Sequence, residues 1–242
     1  MANPFFTFKQ FTIRHDRCAM KVGTDGVLLG AWAPIEFDKG QILDIGTGSG
    51  LIALMLAQRA PQTKITAIDI DTSAIEQANH NFSISPWKDR LECQQSALQE
   101  YEGNGIFDLI VSNPPYFQDS LKNPNLQRAM ARHTDTLSFE DLLIHSARLI
   151  KPNGKVALIL PIEVEEQIIA IARKTHLYPV HITHVFPKPN KEAKRILLTL
   201  SKILDIENYD SKRNCIYDSL TLESANAPRS EEYIELTKDF FL

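Results

Sequence analysis

The sequence is short of cysteine, of long apolar runs and of any excess of positive charge. Its three cysteines, Cys18, Cys93 and Cys215, are odd in number, far apart and in no CxxC pair. That excludes a disulfide framework and a thiolate zinc site, so no metal is expected. No run approaches the ~18–20 apolar residues of a membrane-spanning helix. The opening MANPFFTFKQ lacks the charged and apolar regions of a secretory signal. The expectation is a cytoplasmic monomer acting away from membranes. Twenty-six Lys and Arg stand against 30 Asp and Glu, a net charge of −4. This argues against a surface that binds nucleic acid all over, but leaves room for a local basic patch. Internal repeats and low-complexity segments are absent.

What is present suffices for one large domain: 242 residues, 43% of them hydrophobic. Alternation in Phe6-Thr7-Phe8-Lys9-Gln10-Phe11 suggests an extended segment or hairpin near the start. From residue 41 the rhythm changes. QILDI, KITAIDI, the weaker RLECQ, FDLIVS and GKVALIL read as strands. LIALMLAQRA, TSAIEQANHNF, FEDLLIHSARLI and EVEEQIIAIARKT read as helices between or after them. Such alternation indicates an α/β fold around a parallel, doubly wound sheet. Two late strands, YPVHITHVF and ILLTLSK, are joined by PKPNKEAKR, too short for a helical crossover, and should pair antiparallel. The tail after residue 202 holds four basic and nine acidic residues and ends in EEYIELTKDFFL, a candidate amphipathic helix. Without it the remainder carries 22 basic and 21 acidic residues, a charge of +1.

The loop Asp44-Ile45-Gly46-Thr47-Gly48-Ser49-Gly50 lies between the first of these strands and its helix. Glycines there allow a sharp turn and close approach to a ligand. A dinucleotide site needs G-x-G-x-x-G. Here the third glycine comes one position early and Leu51 stands in its place. Asp44 would repel a pyrophosphate but suits a ligand with a cationic amino group. Asp69 ends the next strand, where a carboxylate can accept from both hydroxyls of a ribose.

This D-x-G-x-G-x-G followed by I-D-I resembles the class I S-adenosylmethionine-dependent methyltransferases. The resemblance implies a Rossmann-like methyltransferase fold with a mostly parallel seven-stranded sheet, a final antiparallel strand and helices on both faces. It implies S-adenosyl-L-methionine as cofactor. Asp44, Gly46, Gly48 and Gly50 would hold its methionine part, Asp69 its ribose and Ile70 its adenine. The adenine contact after the third strand maps to Ser96 and Ala97; many members carry an acid where this chain has Ser96.

Ser112-Asn113-Pro114-Pro115-Tyr116-Phe117 follows the strand FDLIV. Two prolines hold the chain extended and remove two backbone donors. An amide side chain, bare carbonyls and an aromatic ring remain, a set of acceptors beside a stacking face. That set fits a planar target bearing an NH2 group, whose delocalised lone pair is a poor nucleophile. If Asn113 Oδ1 and the Pro114 carbonyl each accept one hydrogen, the nitrogen can turn its lone pair toward a methyl donor. The same acceptors stabilise the charge that develops, and Tyr116 can stack on the ring. N-P-P-Y resembles the signature of amino-group methyltransferases acting on adenine N6, guanine N2 or glutamine amides.

The segment Lys21-Val22-Gly23-Thr24-Asp25-Gly26-Val27-Leu28-Leu29-Gly30-Ala31-Trp32 reads as a turn and short helix. With the FTFKQF start, Ala131-Arg132-His133 and the LTKDFFL end, it resembles the bacterial tRNA1(Val) (adenine-37)-N6-methyltransferase family across the whole chain. That implies methylation of an adenine beside an anticodon, with Lys21, Thr24 and Asp25 near the cofactor. Residues 1–40 would form an extension over the cofactor site, 41–202 the core, and 203–242 an acidic tail packed on it. Between Lys188 and Lys202 five basic residues face one acid, Glu192. Lys188 and Arg195 there, with Arg132, are candidate phosphate contacts. Pro115 and Phe117 are candidates for the extruded base, Arg132 and His133 for phosphate or base contacts, and the loop 117–137 is expected to close over the base. Alternatives at this stage are the same chemistry on ribosomal guanine, DNA adenine or a protein glutamine, and a cofactor-binding RNA-binding protein without turnover.

Overall fold

A computed structural model describes residues 3–18, 21–115, 137–203 and 209–242. The chain opens with an antiparallel pair, β1 (Phe5–Thr7) and β2 (Thr12–Arg14), followed by α1 (Thr24–Trp32). Next come β3 (Gln41–Ile45), α2 (Leu51–Arg59), β4 (Lys64–Asp69), α3 (Thr72–Ser83) and β5 (Leu91–Gln95). The second half holds β6 (Phe107–Ser112), α4 (Phe139–Leu149), β7 (Ile150–Pro161) and α5 (Glu165–Lys174). It closes with β8 (Leu177–Phe186), β9 (Arg195–Lys202), α6 (Ser211–Asn214), β10 (Ile216–Thr221) and α7 (Glu231–Thr237).

The strands from β3 onward form one sheet in the order β10-β8-β9-β7-β6-β3-β4-β5. Only β9 runs against its neighbours, β7 and β8; the other pairs are parallel. This is the Rossmann-like α/β arrangement expected, with the antiparallel strand where the short connection required it. The tail adds an eighth strand, β10, beside β8, which the sequence pattern did not disclose. Its sequence, IYDSLT, has its first four residues exposed, so no alternation marks it.

The central strands are buried on both faces, which explains their near-continuous apolar runs. Ile42, Leu109, Val111, Ala157 and Ile159 face a core shared with α1, α2, α3 and the β1–β2 pair. Leu43, Ile110, Val156, Leu158 and Leu160 face a second core under α4 and α5. Caps set the helix starts. Asp71 accepts from the Ser73 amide at 2.8 Å to begin α3, and Ser138 accepts from the Asp141 amide at 3.0 Å to begin α4. The α1–α2 contact is close because a Cβ at Gly30 would lie 2.7 Å from Met55 Sδ. The late helix α7 buries Tyr233 and Thr237, and Phe240 beyond it is buried as well. No helix among the described residues is long and apolar enough to cross a membrane.

Candidate active site

In a doubly wound sheet, ligands bind beyond the carboxyl ends of the strands. Ile45 of β3 pairs with Ile68 of β4 on one side and Ser112 of β6 on the other. The residues that follow, Gly46, Asp69 and Asn113, therefore leave the sheet side by side, roughly 5 Å apart by strand spacing. Ser112 Oγ donates to the Ile45 carbonyl at 2.9 Å and fixes that level.

Gly46, Gly48 and Gly50 all have positive φ, at 69°, 54° and 83°, a region costly for other residues. A side chain at Gly46 or Gly48 would meet none of the described residues within 4 Å, whereas a Cβ at Gly50 would strike the Phe82 ring at 2.5 Å. The first two glycines thus leave room for a ligand, and the third lets α3 pack beneath the loop. The Gly46 and Thr47 amides donate to the Ile68 carbonyl at 2.9 and 3.1 Å. Asp69 braces the loop from the side. Its Oδ2 accepts from the Gly48 amide at 2.9 Å and its Oδ1 from the Asp71 amide at 3.0 Å. Each oxygen keeps lone-pair capacity for a further donor. Ile70 is 51% exposed next to it. The Ser96 amide donates to the Asp69 carbonyl at 3.0 Å, which brings Ser96 and Ala97 to the same rim.

Asp44 lies beneath the loop, not on its surface. It is fully buried; Thr47 Oγ1 donates to its Oδ2 at 2.6 Å, while Oδ1 has no hydrogen-bond partner among the described residues. Burial pushes its carboxyl up to about 7, against the opposing pull of Thr47 and the nearby Ala53 amide, with Asp69 raising it further. The Ala53 amide does not complete a hydrogen bond to Oδ1. Burial, with Asp44 and Asp69, also raises Cys93 to about 12. Burial and then Asp69 raise Cys18 to about 11. These thiols stay protonated, chiefly because burial disfavours the thiolate, with the nearby carboxylates adding to it.

The Asp44 arrangement carries a pH prediction. A carboxyl whose folded value lies above its ordinary one binds an extra proton when folded. Stability then falls as pH rises from about 4 to about 7 and levels above that. Denaturant unfolding at pH 5, 6, 7 and 8 should show the wild type losing a few kcal/mol more than Asp44→Asn over that range. Parallel curves for the two proteins would remove Asp44 as the source.

The other expected site residues divide. Pro114 is buried, Asn113 half-buried and Pro115 exposed. Lys21 and Thr24 are exposed at the start of α1. Asp25 and Arg195, assigned from sequence to different ligands, are ion-paired to each other, Arg195 Nε to Asp25 Oδ2 at 2.9 Å. Arg195 sits opposite Pro161 at the carboxyl end of β7, so the pair ties α1 to the edge that carries the glycine loop. Lys188, in the β8–β9 hairpin, is paired with Glu223 at 2.8 Å, farther along that edge. Tyr116, Phe117, Arg132 and His133, with most of the 117–137 loop, lie outside the described residues. Among the described residues no cluster of His, Cys, Asp and Glu is placed to hold a metal ion.

Comparison with known proteins places this geometry. Residues 23–167 match the methyltransferase small domain family. The chain is 49% identical over 242 residues to the tRNA1(Val) (adenine(37)-N6)-methyltransferase of Phocaeicola vulgatus, covering 100% of this chain and 99% of that one. Its identity to the protein of the same name from Parabacteroides distasonis is 51%, with the same coverage. The chain belongs to the tRNA1(Val) (adenine(37)-N6)-methyltransferase family. The Aeromonas hydrophila member is 46% identical, covering 99% of this chain and 98% of that one. Among solved structures, a predicted O-methyltransferase from Agrobacterium tumefaciens superposes with a TM-score of 0.69 at 17% identity, covering 89% of this chain and 96% of that one. M. jannaschii TYW2 in complex with AdoMet gives 0.56 at 12% identity, covering 81% and 84%. These two likenesses are of fold.

In this tRNA1(Val) (adenine(37)-N6)-methyltransferase family member, sequence reasoning missed the residues that hold the site together. Asn81 of α3 is fully buried; its Nδ2 donates to the Ser49 and Arg14 carbonyls, each at 2.8 Å, and its Oδ1 accepts from the Arg14 amide at 3.0 Å. Gln77, one turn earlier, accepts from the Arg17 amide at 3.1 Å. One helix thus ties the chain after β2 to the glycine loop. An Asn and a Gln four apart on an otherwise amphipathic helix face were the available signal.

Proposed function

We propose that this protein transfers the methyl group of S-adenosylmethionine to N6 of adenine 37 in the anticodon loop of tRNA1(Val). What carries the reading is the shared level of Gly46, Asp69 and Asn113 at the ends of β3, β4 and β6. A cofactor cradle and a set of amide and proline acceptors stand next to each other there. The full-length likeness to relatives of that name supports the substrate.

The residues present fit the cofactor. The space beside Gly46 and Gly48 admits it. The spare lone pairs of Asp69 suit two ribose hydroxyls, and exposed Ile70 offers a flat apolar contact for an adenine ring, with Ser96 and Ala97 at its rim. Asp44 acts on a cationic ligand through its field and through Thr47. Lys21, Thr24 and Asp25 close the side formed by α1. When bound, S-adenosylmethionine supplies an electrophilic methyl group on a sulfonium.

Everything else falls to the chain. Asn113 Oδ1 and the Pro114 carbonyl accept the two hydrogens of the adenine NH2, which draws the nitrogen out of conjugation and directs its lone pair at the methyl carbon. Charge grows on that nitrogen during an in-line displacement, and both acceptors stabilise it. The proton leaves after transfer, so no base of matched pKa is required beforehand. Tyr116, Phe117 and Pro115 hold the base; Arg132, His133, Lys188 and Arg195 serve the RNA around it. An anticodon-loop adenine is already single-stranded, which lowers the work of presenting it.

The test is labelled-methyl transfer to total tRNA, with the modified nucleotide mapped. Label at adenine 37 of tRNA1(Val) is expected. Label in ribosomal RNA, DNA or protein would overturn the reading, and so would tight cofactor and RNA binding with no label anywhere.

A further inference from the structure

The C-terminal tail is acidic overall, yet it places an arginine and two aromatic rings on the edge that carries the candidate active site. A cavity of about 360 Å³ opens between the β1–β2 pair, the start of α1 and the segment running from β10 to α7. Phe6, Thr24, Arg229, Tyr233 and Phe241 line it. The Arg229 guanidinium lies over the Phe241 ring, 4.3 Å from its centre, and 6.0 Å from that of Tyr233. Phe6 meets Phe241 edge-on at 6.1 Å and remains 36% exposed. A cation held over one ring beside another open ring is an arrangement that takes a nucleobase by stacking and its phosphate by charge.

Position supports the same occupant. Because β10 runs parallel to β8, its end at Thr221 reaches the edge where the glycine loop and Asn113 lie. Thr24, in the cavity wall, adjoins the Asp25–Arg195 pair. Glu223 and Pro228 line both this cavity and a second hollow of about 380 Å³ under Lys188 and Asn190. Glu223 is itself neutralised by Lys188 at 2.8 Å. A track therefore runs from the basic β8–β9 hairpin into the aromatic cavity. β10 lies four strand positions from β6, on the order of 20 Å at ordinary strand spacing. A subsite walled by that strand's end on one side and by Thr24 on the other would take a nucleotide close to the one being methylated.

We infer that the cavity formed by Phe6, Arg229, Tyr233 and Phe241 is a second nucleotide subsite, holding one unpaired base of the tRNA away from the target adenine. The inference rests on the proposed function. Arg229 is exposed and glutamine keeps part of its stem, so Arg229→Gln removes the charge without opening a buried hole. Its KM for tRNA should rise about tenfold, in keeping with the loss of one stacked base, with kcat at saturating tRNA and cofactor affinity unchanged. As a direct probe, anticodon stem-loops carrying 4-thiouridine at single loop positions are photo-crosslinked to the full-length protein. Crosslinks to Phe6, Tyr233 or Phe241 are expected from one position. If the wild type methylates tRNA but Arg229→Gln shows the wild-type KM, or every crosslink falls elsewhere, the subsite is overturned and the proposed function stands. If the wild type methylates no tRNA, both fall.

Discussion

Replacing Asn113 by alanine is expected to lower kcat by about 10²- to 10³-fold, the usual cost of removing one acceptor or donor aimed at developing charge. Cofactor affinity should stay at the wild-type value. Asn113 leaves β6 one residue beyond the Ser112–Ile45 bond, so the strand end is held without it. An Asn113→Asp variant keeps an acceptor oxygen at the same reach and should lose less than the alanine variant. Single-turnover rates with saturating cofactor and tRNA separate chemistry from binding. An alanine variant with wild-type single-turnover rates would leave the NH2 group without its main acceptor and sink the proposed chemistry.

The second large effect is structural. Gly50→Ala must place a Cβ 2.5 Å from the Phe82 ring and hold φ at 83°. The clash and the left-handed backbone each cost on the order of 1–3 kcal/mol. A loss of roughly 3–4 kcal/mol in denaturant unfolding, with cofactor binding impaired because the loop is displaced, is the expected outcome. Gly48→Ala, at φ 54°, meets none of the described residues within 4 Å and should lose only the backbone part. Trimming the ring with Phe82→Leu should recover part of the Gly50→Ala loss and none of that from Gly48→Ala. Equal destabilisation at the two glycines would show that packing against α3 is not what demands Gly50.

Much of the glycine loop's geometry is legible in the sequence alone. Asp44, Gly46, Gly48, Gly50 and Asp69 are local signals: each depends on a strand end or turn that its own neighbours specify. The ordering of the sheet followed from alternation and connection length, and the short PKPNKEAKR link forced β8 and β9 antiparallel. What stayed illegible depends on distance in the chain. Nothing near Arg195 discloses Asp25, 170 residues away in sequence, as its partner. IYDSLT as a strand needs the edge of β8 to pair with, since its own side chains are mostly exposed. The burial of Asp44 reflects α2 and Thr47 closing over it, whereas the sequence pattern suggested a carboxylate facing the ligand. Asn81 gains its role only when α3 is packed beside both the glycine loop and β2.

The two ends of the sequence are stitched together. The Lys9 amide donates to the Phe240 carbonyl at 2.8 Å, and Lys9 Nζ to the Lys238 carbonyl at 2.5 Å. Phe8 stacks on Phe241 at 5.8 Å. The segment around Lys9 thus cannot find its resting place until the stretch around Lys238, 229 residues later in the chain, has been synthesised. Loss of the Phe240–Phe241 segment would therefore loosen order far back in the chain, where Phe8 and Lys9 rest on it.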